Sequence, residues 1–373
     1  MQYGVKPVNI LMTRLVIVVV FSLPLPLGAI ELELWAEGFE QITDIKFLDS
    51  KQQALIAQKT GELYLLDIET KQKSRLRTFD VNASSEMGLL GVLPWEDALY
   101  VYYSPKGQSE TRLSRFDWPD MDLIHSKEHV LLTLIQPFSN HNGGALIKGP
   151  DNSILLSLGD GGAAGDPHNN GQNPQTLLGS IIRIVPDTDS RKGYQIPTGN
   201  LHEWVTHAQP EILAMGLRNA WKISMTNSGD LWIADVGQNS FEEINVIHAE
   251  AIGKGELNLG WKILEGHSCY RKANCKSLEY WSPLVTYSHQ EYGQSITGGF
   301  LYEGTEVQEL IGKYLFADFV SGFIGSLSPP SYSEIEPIIT QVTGNWSTFA
   351  RDRNNELYIA DFQGKIYRIQ SGR

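Results

Sequence analysis

The sequence predicts an all-β protein built from one repeated strand unit. Among the 373 residues are 35 Gly, 17 Pro, 15 Tyr and 9 Trp, and many turns together with many aromatic residues favour strands over helices. A polar turn followed by two apolar strands recurs along the chain with Gly, Asn or Asp at the reversals, which is typical of β-hairpins. No convincing helix of twelve or more residues follows the N-terminal segment, so a doubly wound α/β fold is excluded.

The repeat occurs six times. Its copies lie at 48–67, 94–104, 149–162, 226–239, 313–327 and 352–369. Equivalent strand positions are Leu55, Tyr100, Leu155, Trp232, Leu315 and Tyr358, which are 45, 55, 77, 83 and 43 residues apart. The short spacings match one blade of a β-propeller, and the long ones indicate insertions. We therefore predict a six-bladed β-propeller over residues 30–373, closed by an outer strand from 31–40. The alternative fold, a β-sandwich, would not explain why the same unit of turn and strands recurs.

Residues 1–29 predict a secretory signal peptide. Lys6 and Arg14 precede an apolar run at 15–29 that contains two prolines and ends in small residues. The alternative is a retained membrane anchor, but fifteen residues with two prolines are too short to span about 30 Å as a helix. We expect cleavage near Ala29, a periplasmic or secreted protein, and no stable membrane span after cleavage.

The net charge limits which partners the protein can have, and the cysteines bear on the compartment in which it resides. Lys plus Arg number 30 and Asp plus Glu 43, a net charge of −13, which repels phosphate backbones and argues against a nucleic-acid partner. The only cysteines are Cys269 and Cys275. In an exported protein the default expectation is one disulfide that closes a small loop. Metal binding is the alternative, but no His-x-x-x-His pair lies nearby.

Several catalytic motifs are excluded. GDGGAA at 159–164 fits a loose nucleotide-binding pattern, but the residues after it cannot begin a helix. HEWVTH at 202–207 has one residue too many for a zinc-protease motif, so its histidines would not share a helix face. There is no G-x-S-x-G and no P-loop motif. A serine-elbow hydrolase and a P-loop enzyme are therefore set aside.

Two polar clusters interrupt the blades where loops would line the mouth of a propeller. The first contains SNHNGG (139–144) and GDGGAAGDPHNNGQN (159–173), and the second contains GLRNAW (216–221) and ADVGQNSFEEIN (234–245). Alone, a residue such as His141 is more often a turn or core histidine than a catalyst, and an arginine such as Arg218 is more often an ion-pair partner. The glycines beside them indicate close approach of a ligand to the main chain.

At these residues the sequence resembles the glucose/sorbosone dehydrogenase family, which includes soluble quinoprotein glucose dehydrogenases, aldose sugar dehydrogenases and hedgehog-interacting-protein-like proteins. The resemblance extends from about Thr43 to Ile369. Seven motifs carry it in order: GLLG (88–91), HNGG (141–144), LLGSIIRI (177–184), PEILAMGLRN (210–219), DVGQNSFEEIN (235–245), NLGW (258–261) and SITGG (295–299). It implies a six-bladed propeller.

The resemblance also implies roles for individual residues. His141 matches the general base that takes the proton of the anomeric hydroxyl while hydride passes to pyrroloquinoline quinone (PQQ), and Arg218 matches the arginine at the quinone carbonyls. Backbone carbonyls of Gly237 and Gln238 match ligands of a calcium ion. The expected cofactor contacts are Glu86, Asn140, His141, Arg218 and Asn219. Asp160 and Asp166 are candidates for a second cation site. The implied substrate is a small sugar, and the electron acceptor is not identified.

The sequence departs from the dehydrogenase pattern where the family meets the three carboxylates of the quinone. The stretches 318–327 and 344–353 have no basic residue at the aligned positions, since Arg351 and Arg353 are out of register, and Glu86 replaces a glutamine. Losing several charge-assisted bonds, at about 1.5–3 kcal/mol each, weakens quinone binding. Two hypotheses therefore stand. One is an exported PQQ- and calcium-dependent sugar dehydrogenase, and the other is a calcium-stabilised propeller that binds a carbohydrate or protein partner without redox chemistry.

Overall fold

A computed structural model describes Met1 and residues 30–48, 52–118, 123, 126–339 and 343–372. The predicted signal peptide lies outside the described residues apart from Met1. In the described part of the chain no helix is long and apolar enough to cross a membrane. Helical structure there consists of short 3-10 turns at Asn170–Gln172, Leu201–Glu203, Ser277–Glu279 and Gln308–Leu310.

All other regular elements of the described chain are strands. In chain order they are β1 (Ile30–Ala36), β2 (Ile42–Leu48), β3 (Gln53–Gln58), β4 (Glu62–Asp67), β5 (Lys73–Thr78), β6 (Leu89–Trp95), β7 (Ala98–Tyr103), β8 (Glu110–Asp117), β9 (Glu128–Ile135), β10 (Leu146–Lys148), β11 (Ile154–Ser157), β12 (Ser180–Pro186), β13 (Tyr194–Gln195), β14 (Ile212–Met215), β15 (Ala220–Met225), β16 (Leu231–Asp235), β17 (Phe241–Ile247), β18 (Leu264–Glu265), β19 (Ser268–Cys269), β20 (Val285–Ser288), β21 (Phe300–Leu301), β22 (Tyr314–Ala317), β23 (Ile324–Leu327), β24 (Ile335–Ile339), β25 (Trp346–Arg351), β26 (Leu357–Asp361) and β27 (Ile366–Ser371).

Six antiparallel sheets of four or five strands are the blades of a propeller, and β18 and β19 form a further two-stranded sheet. Blade 1 contains β2–β5, blade 2 β6–β9, blade 3 β10–β14, blade 4 β15–β17 with β20, blade 5 β21–β24, and blade 6 β25–β27 with β1. The six equivalent positions identified in the sequence all fall on the second strand of a blade, namely β3, β7, β11, β16, β22 and β26. The predicted fold and blade count are therefore confirmed.

The long spacings in the repeat correspond to insertions in blades 3 and 4. In blade 3, the loop between β11 and β12 spans 158–179. In blade 4, the segment between β17 and β20 contains the small hairpin of β18 and β19. Cys269 at the end of this hairpin is bonded to Cys275. The predicted disulfide is therefore confirmed.

The core lies between the blades. Strand β7 is buried along its whole length, and its side chains alternate between two neighbours. Leu99 and Val101 pack with blade 1, whereas Tyr100 and Tyr102 pack with blade 3. Comparable clusters fill all six boundaries between blades. Each fully buried apolar side chain contributes about 1.5–3 kcal/mol, so the blades stabilise one another.

The ring closes where the predicted strand near the N-terminus joins the last blade. Strand β1 pairs antiparallel with β27, with Leu32 opposite Ile369. The side chains of Ile30 and Leu32 pack into the apolar cluster between blades 5 and 6, whereas the intervening Glu31 is exposed. The prediction that this segment supplies an outer strand is confirmed.

The first strand of each blade surrounds the central axis. Strand β2 contacts both β25 and β6, and β10 contacts both β6 and β15. The loops that lead into these first strands meet at one mouth of the channel. This arrangement brings residues from distant parts of the sequence to one place, because each loop comes from a different blade.

The closing strand yields a test of the fold. Leu32→Asp puts an unpaired charge into the cluster between blades 5 and 6, and we expect it to lower the free energy of unfolding by about 1–3 kcal/mol. Leu34→Asp is the matched control, because Leu34 is 49% exposed on the same strand. Urea titration measures both variants. Equal loss in the two would contradict the packing of Leu32.

Candidate functional site

Three loops from three blades are joined by hydrogen bonds at the mouth of the channel. Glu86 precedes β6, His141 precedes β10, and Asn219 directly precedes β15. The Glu86 Oε2 atom accepts the His141 backbone N–H at 2.6 Å and the Asn219 side-chain amide at 3.3 Å. The Asn219 Oδ1 atom in turn accepts the Gly143 N–H at 3.2 Å. Glu86 thus has protein partners that hold blades 2, 3 and 4 together.

His141 has a fixed orientation. Its Nδ1 lies 2.7 Å from Oδ1 of Asp160, and both residues are buried. A carboxylate beside Nδ1 holds the proton on that nitrogen, which leaves the Nε2 lone pair available to accept a proton. The sequence motifs predict His141, but no local pattern connects it to its partner Asp160.

The Asp160 carboxylate is held by two further donors. Its Oδ2 accepts the Trp261 indole N–H at 2.8 Å, and its Oδ1 also accepts the Gly162 N–H at 2.9 Å. Trp261 lies in the NLGW motif, for which the sequence alone predicts no role of the tryptophan. The position of Asp160 in GDGG, directly after a buried strand, was the available signal.

Two glycines allow the close approach that the His141 loop requires. His141 itself has a positive φ of 56°, and Gly143 has a φ of 61°. A Cβ on Gly143 would lie 2.6 Å from the Ser157 carbonyl oxygen, and one on Gly159 would lie 2.0 Å from the His141 carbonyl oxygen. Larger residues at either position would displace the histidine.

The Arg218 side chain is oriented by a hydrogen bond to a backbone carbonyl rather than by an ion pair. Its Nη1 donates to the Val236 carbonyl at 2.8 Å, and its guanidinium carbon lies 5.8 Å from the centre of the Trp261 ring. The Arg218 Nε atom is buried and has no hydrogen-bond partner in the described structure, and the same is true of both polar side-chain atoms of Asn142. Buried polar atoms without a protein partner are rare, so these atoms are candidates to contact a ligand.

The remaining predicted cofactor contact, Asn140, ties two loops together. Its Oδ1 accepts the Ala163 N–H at 3.2 Å. This bond connects the HNGG loop to the GDGGAA loop. Asn140 therefore lies next to His141, as predicted, and its visible role is to position the loop.

The predicted calcium carbonyls lie on a tightly held loop. The Glu265 Oε1 atom accepts the N–H groups of Gln238, Asn239 and Ser240 at 2.7–2.9 Å. In the described chain no hydrogen bond is donated to the carbonyl of Gly237 or Gln238. The two oxygens are therefore free to contact a cation. Glu265 was missed in the sequence, because it is more than twenty residues away from the loop that it holds.

The acidic side chains predicted for a second cation site have other partners. Asp160 contacts His141 and Trp261, and Asp166 accepts the N–H groups of Asn170 and Gly171, each at 2.9 Å. Burial raises the pKa of Asp166. No group of three or more His, Cys, Asp or Glu side chains that would hold a metal occurs in the described residues. The second site stays a prediction.

The mouth beside blades 5 and 6 carries aromatic side chains and, within 318–327 and 344–350, no basic residue. Phe319 and Phe362 pack edge to face with centroids 5.5 Å apart, and the Asn345 amide donates to the Phe319 carbonyl at 2.8 Å. Arg351 ends β25 and pairs with Glu303 at 3.0 Å. It therefore lies at the opposite end of the strand from Trp346, where the mouth is.

Two buried carboxylates lie behind the Arg218 loop. Asp235 accepts the backbone N–H groups of Arg218 and Asn219 at 2.9 and 2.6 Å, and it is paired across the sheet with Glu243. Desolvation and the charge of Glu243 raise the pKa of Asp235 well above its usual range. Desolvation also raises the pKa of Glu243 to about 7.

The raised pKa of Glu243 makes stability depend on pH. The folded state binds the proton more tightly than the unfolded state, so the free energy of unfolding falls as pH rises from about 4.5 to about 7. Glu243→Gln has no such carboxyl group and should not lose stability in this way. We therefore expect the free energy of unfolding of the variant minus that of wild type to be greater at pH 8 than at pH 4.5, by up to about 3 kcal/mol. The Asn245 Oδ1 atom is buried without a partner in the described structure and can accept from the new amide after a flip.

Urea titrations at the two pH values measure the effect. Glu250→Gln is the control, because Glu250 is exposed and should leave the pH dependence unchanged. The same pH dependence in Glu243→Gln as in wild type would contradict the assignment.

Comparison with known proteins agrees with this fold. The family model described as Glucose / Sorbosone dehydrogenase matches residues 39–361. The PQQ-bound aldose sugar dehydrogenase of Streptomyces coelicolor has a similar structure, with a TM-score of 0.72, 19% identity, and coverage of 92% of this chain and 98% of that one. At this identity the likeness shows the fold alone.

Two curated relatives are larger proteins. The HIPL1 protein of Arabidopsis thaliana is 30% identical over 285 residues, which are 64% of this chain and 40% of that protein. The Hedgehog-interacting protein of Homo sapiens is 25% identical over 280 residues, which are 70% of this chain and 37% of that protein. The chain thus spans about two fifths of the length of these relatives. Because the family model covers most of its length, the chain belongs to the glucose/sorbosone dehydrogenase family.

Proposed function

We propose that this protein is an exported sugar dehydrogenase that oxidises the anomeric carbon of an aldose with PQQ and calcium. The observation that carries the proposal is the buried pair of His141 and Asp160, with Nδ1 and Oδ1 at 2.7 Å, together with an Arg218 side chain whose buried Nε has no partner among the described residues. This combination offers a proton acceptor next to a cation, which suits hydride removal from a carbon that bears a hydroxyl.

The residues present fit the oxygen-bearing end of the quinone. The buried Arg218 Nε and the Asn142 side-chain amide are donors without partners in the described structure, and a planar acceptor that bears carbonyl oxygens would satisfy them. When bound, PQQ supplies the acceptor for the hydride and its electron pair. Arg218 and Asn219 would hold the quinone, and the Gly237 and Gln238 carbonyls would hold the calcium ion.

The protein's own residues handle the proton. The Nε2 atom of His141 accepts the proton of the anomeric hydroxyl as the bond between that carbon and its hydrogen breaks. Asp160 stabilises the positive charge that then forms on the imidazole, because its carboxylate is fixed against Nδ1. Trp261 and Gly162 keep the carboxylate in position. The sugar leaves as a lactone.

Two features support export. The first described strand, β1, begins at Ile30, directly after the predicted cleavage site, so the mature chain keeps its closing strand. The Cys269–Cys275 disulfide favours an oxidising compartment. We therefore infer a periplasmic or secreted location.

A second function is favoured by a specific observation. The part of the mouth formed by 318–327 and 344–350 has no basic residue, whereas three carboxylates of a bound quinone would need cations there. The relatives named HIPL1 protein and Hedgehog-interacting protein also carry no dehydrogenase name. A calcium-stabilised propeller that binds a carbohydrate or protein partner without redox chemistry is the alternative.

Dye-coupled turnover of aldoses with PQQ and calcium tests the two functions. For a dehydrogenase we expect His141→Ala to lower kcat by about 10²–10⁴ with little change in sugar binding, because the imidazole acts mainly in the transition state. His248→Ala is the matched control, since that side chain is 61% exposed. A wild type that is inert toward every aldose at saturating cofactor would favour the binding function. Full turnover by His141→Ala would remove this residue from the mechanism.

Chelation tests the calcium ion. We expect EGTA to lower the Tm and added calcium to restore it, because a ligand at 100 times its Kd stabilises by about 2.7 kcal/mol. Glu265→Ala, which releases the amides of 238–240, should raise the calcium concentration needed for half-recovery. Differential scanning calorimetry measures both effects. A Tm that is insensitive to EGTA and calcium in wild type would contradict the site.

A further inference from the structure

The disulfide-closed loop of blade 4 reaches the mouth of the channel. Its first residue after Cys269 is Tyr270, whose ring lies 4.8 Å from the ring of Trp261, the same indole that donates to Asp160. A Cβ added to Gly165 would lie 2.9 Å from the Tyr270 hydroxyl oxygen. The loop therefore packs directly over the residues that follow Asp160.

Arg271 is the next residue of this loop, and its exposed guanidinium has no ion-pair partner among the described residues. Its guanidinium carbon lies 5.0 Å from the centre of the Tyr270 ring, and its Nη1 would be 3.1 Å from a Cβ on Gly165. No carboxylate of the described residues lies within 4 Å of it. The nearby Asp166 is not a partner, because its two oxygens accept the N–H groups of Asn170 and Gly171.

A second observation indicates a ligand at this position. The Tyr270 hydroxyl is buried, and Tyr270 is only 9% exposed, yet it has no hydrogen-bond partner in the described structure. Arg218 Nε and the Tyr270 hydroxyl are thus two buried polar atoms without partners in the described structure, and both belong to side chains near the Trp261 ring. A ligand that extends from Arg218 past this indole would reach the donors of Tyr270 and Arg271.

We propose that Arg271, held at the mouth by the Cys269–Cys275 loop, binds a carboxylate of the ligand in the His141 site. The proposal rests on the proposed function, because it assumes that a ligand occupies that site. The planar guanidinium matches a carboxylate in two parallel hydrogen bonds. The cation that is missing from the mouth beside blades 5 and 6 is thereby supplied from blade 4.

The carboxylate has two possible sources, which are the cofactor and an acidic sugar. Three probes distinguish them: PQQ with calcium, D-glucuronate, and D-glucose as the uncharged counterpart of the acid. Binding of each to the purified exported protein is measured by calorimetry, so that no turnover is required. Arg271→Gln removes the charge, and Lys272→Gln removes one from the adjacent exposed residue of the same loop.

We expect Arg271→Gln to weaken binding of a carboxylate probe by about tenfold to a hundredfold, the range for one charge-assisted hydrogen bond. Glucose binding should not change, and Lys272→Gln should bind all three probes like wild type. A loss for PQQ identifies the cofactor as the source, and a loss for glucuronate alone identifies the sugar. Unchanged binding of both acids, or an equal loss in Lys272→Gln, would overturn the proposal.

The disulfide provides an independent test of the proposal. Cys275→Ser opens the loop, and we expect a loss for the acid similar to that of Arg271→Gln, with no further loss when the two changes are combined. Full binding by Cys275→Ser would show that the disulfide does not hold Arg271. A wild type that binds PQQ but oxidises no aldose removes the dehydrogenase function and leaves Arg271 standing. A wild type that binds none of the probes overturns both.

Discussion

A blade of a propeller has two apolar faces, and it cannot cover either of them by itself. Strand β7 shows this constraint, because successive side chains point alternately into blade 1 and blade 3. Each blade is therefore stable only between two others, and the ring has to close. The closing contact is made by β1 on β27. Because the strand side chains pack between the blades, the side chains that can contact a ligand come from the loops at the channel mouth.

Within those loops, the residue that connects most parts of the site is Asp160. Its carboxylate joins His141 in its own blade to Trp261, which is 101 residues further along the chain. The ring of Trp261 in turn lies 5.8 Å from the Arg218 guanidinium carbon and 4.8 Å from the ring of Tyr270. The orientation of the proposed base, the position of the cation and the position of the disulfide loop thus depend on one buried carboxylate.

The sequence predicted the features that are encoded locally. Alternating side chains and turn residues located the second strand of every blade, and glycine-flanked motifs indicated His141 and Arg218 as candidates, whereas Asn219 followed from the family resemblance. The partners of these residues were not predictable in the same way. Asp160 is 19 residues away from His141, and Glu265 holds a loop that belongs to another strand. Such pairs arise from the arrangement of loops around the ring, which no local pattern records.

The charge of the mouth limits what can bind there. Glu86 and Asp160 lie at the site, and Arg218 is held by a backbone carbonyl rather than by a carboxylate. A sugar is neutral and meets no repulsion in such a place. A polyanionic cofactor does meet repulsion, so it requires cations from elsewhere. A calcium ion on the Gly237 and Gln238 carbonyls would provide two positive charges, and Arg271 would provide a third. If neither takes part, the same carboxylates disfavour the quinone and leave a site suited to uncharged carbohydrate. The choice between the two proposed functions therefore depends on cations at the blade 4 side of the mouth.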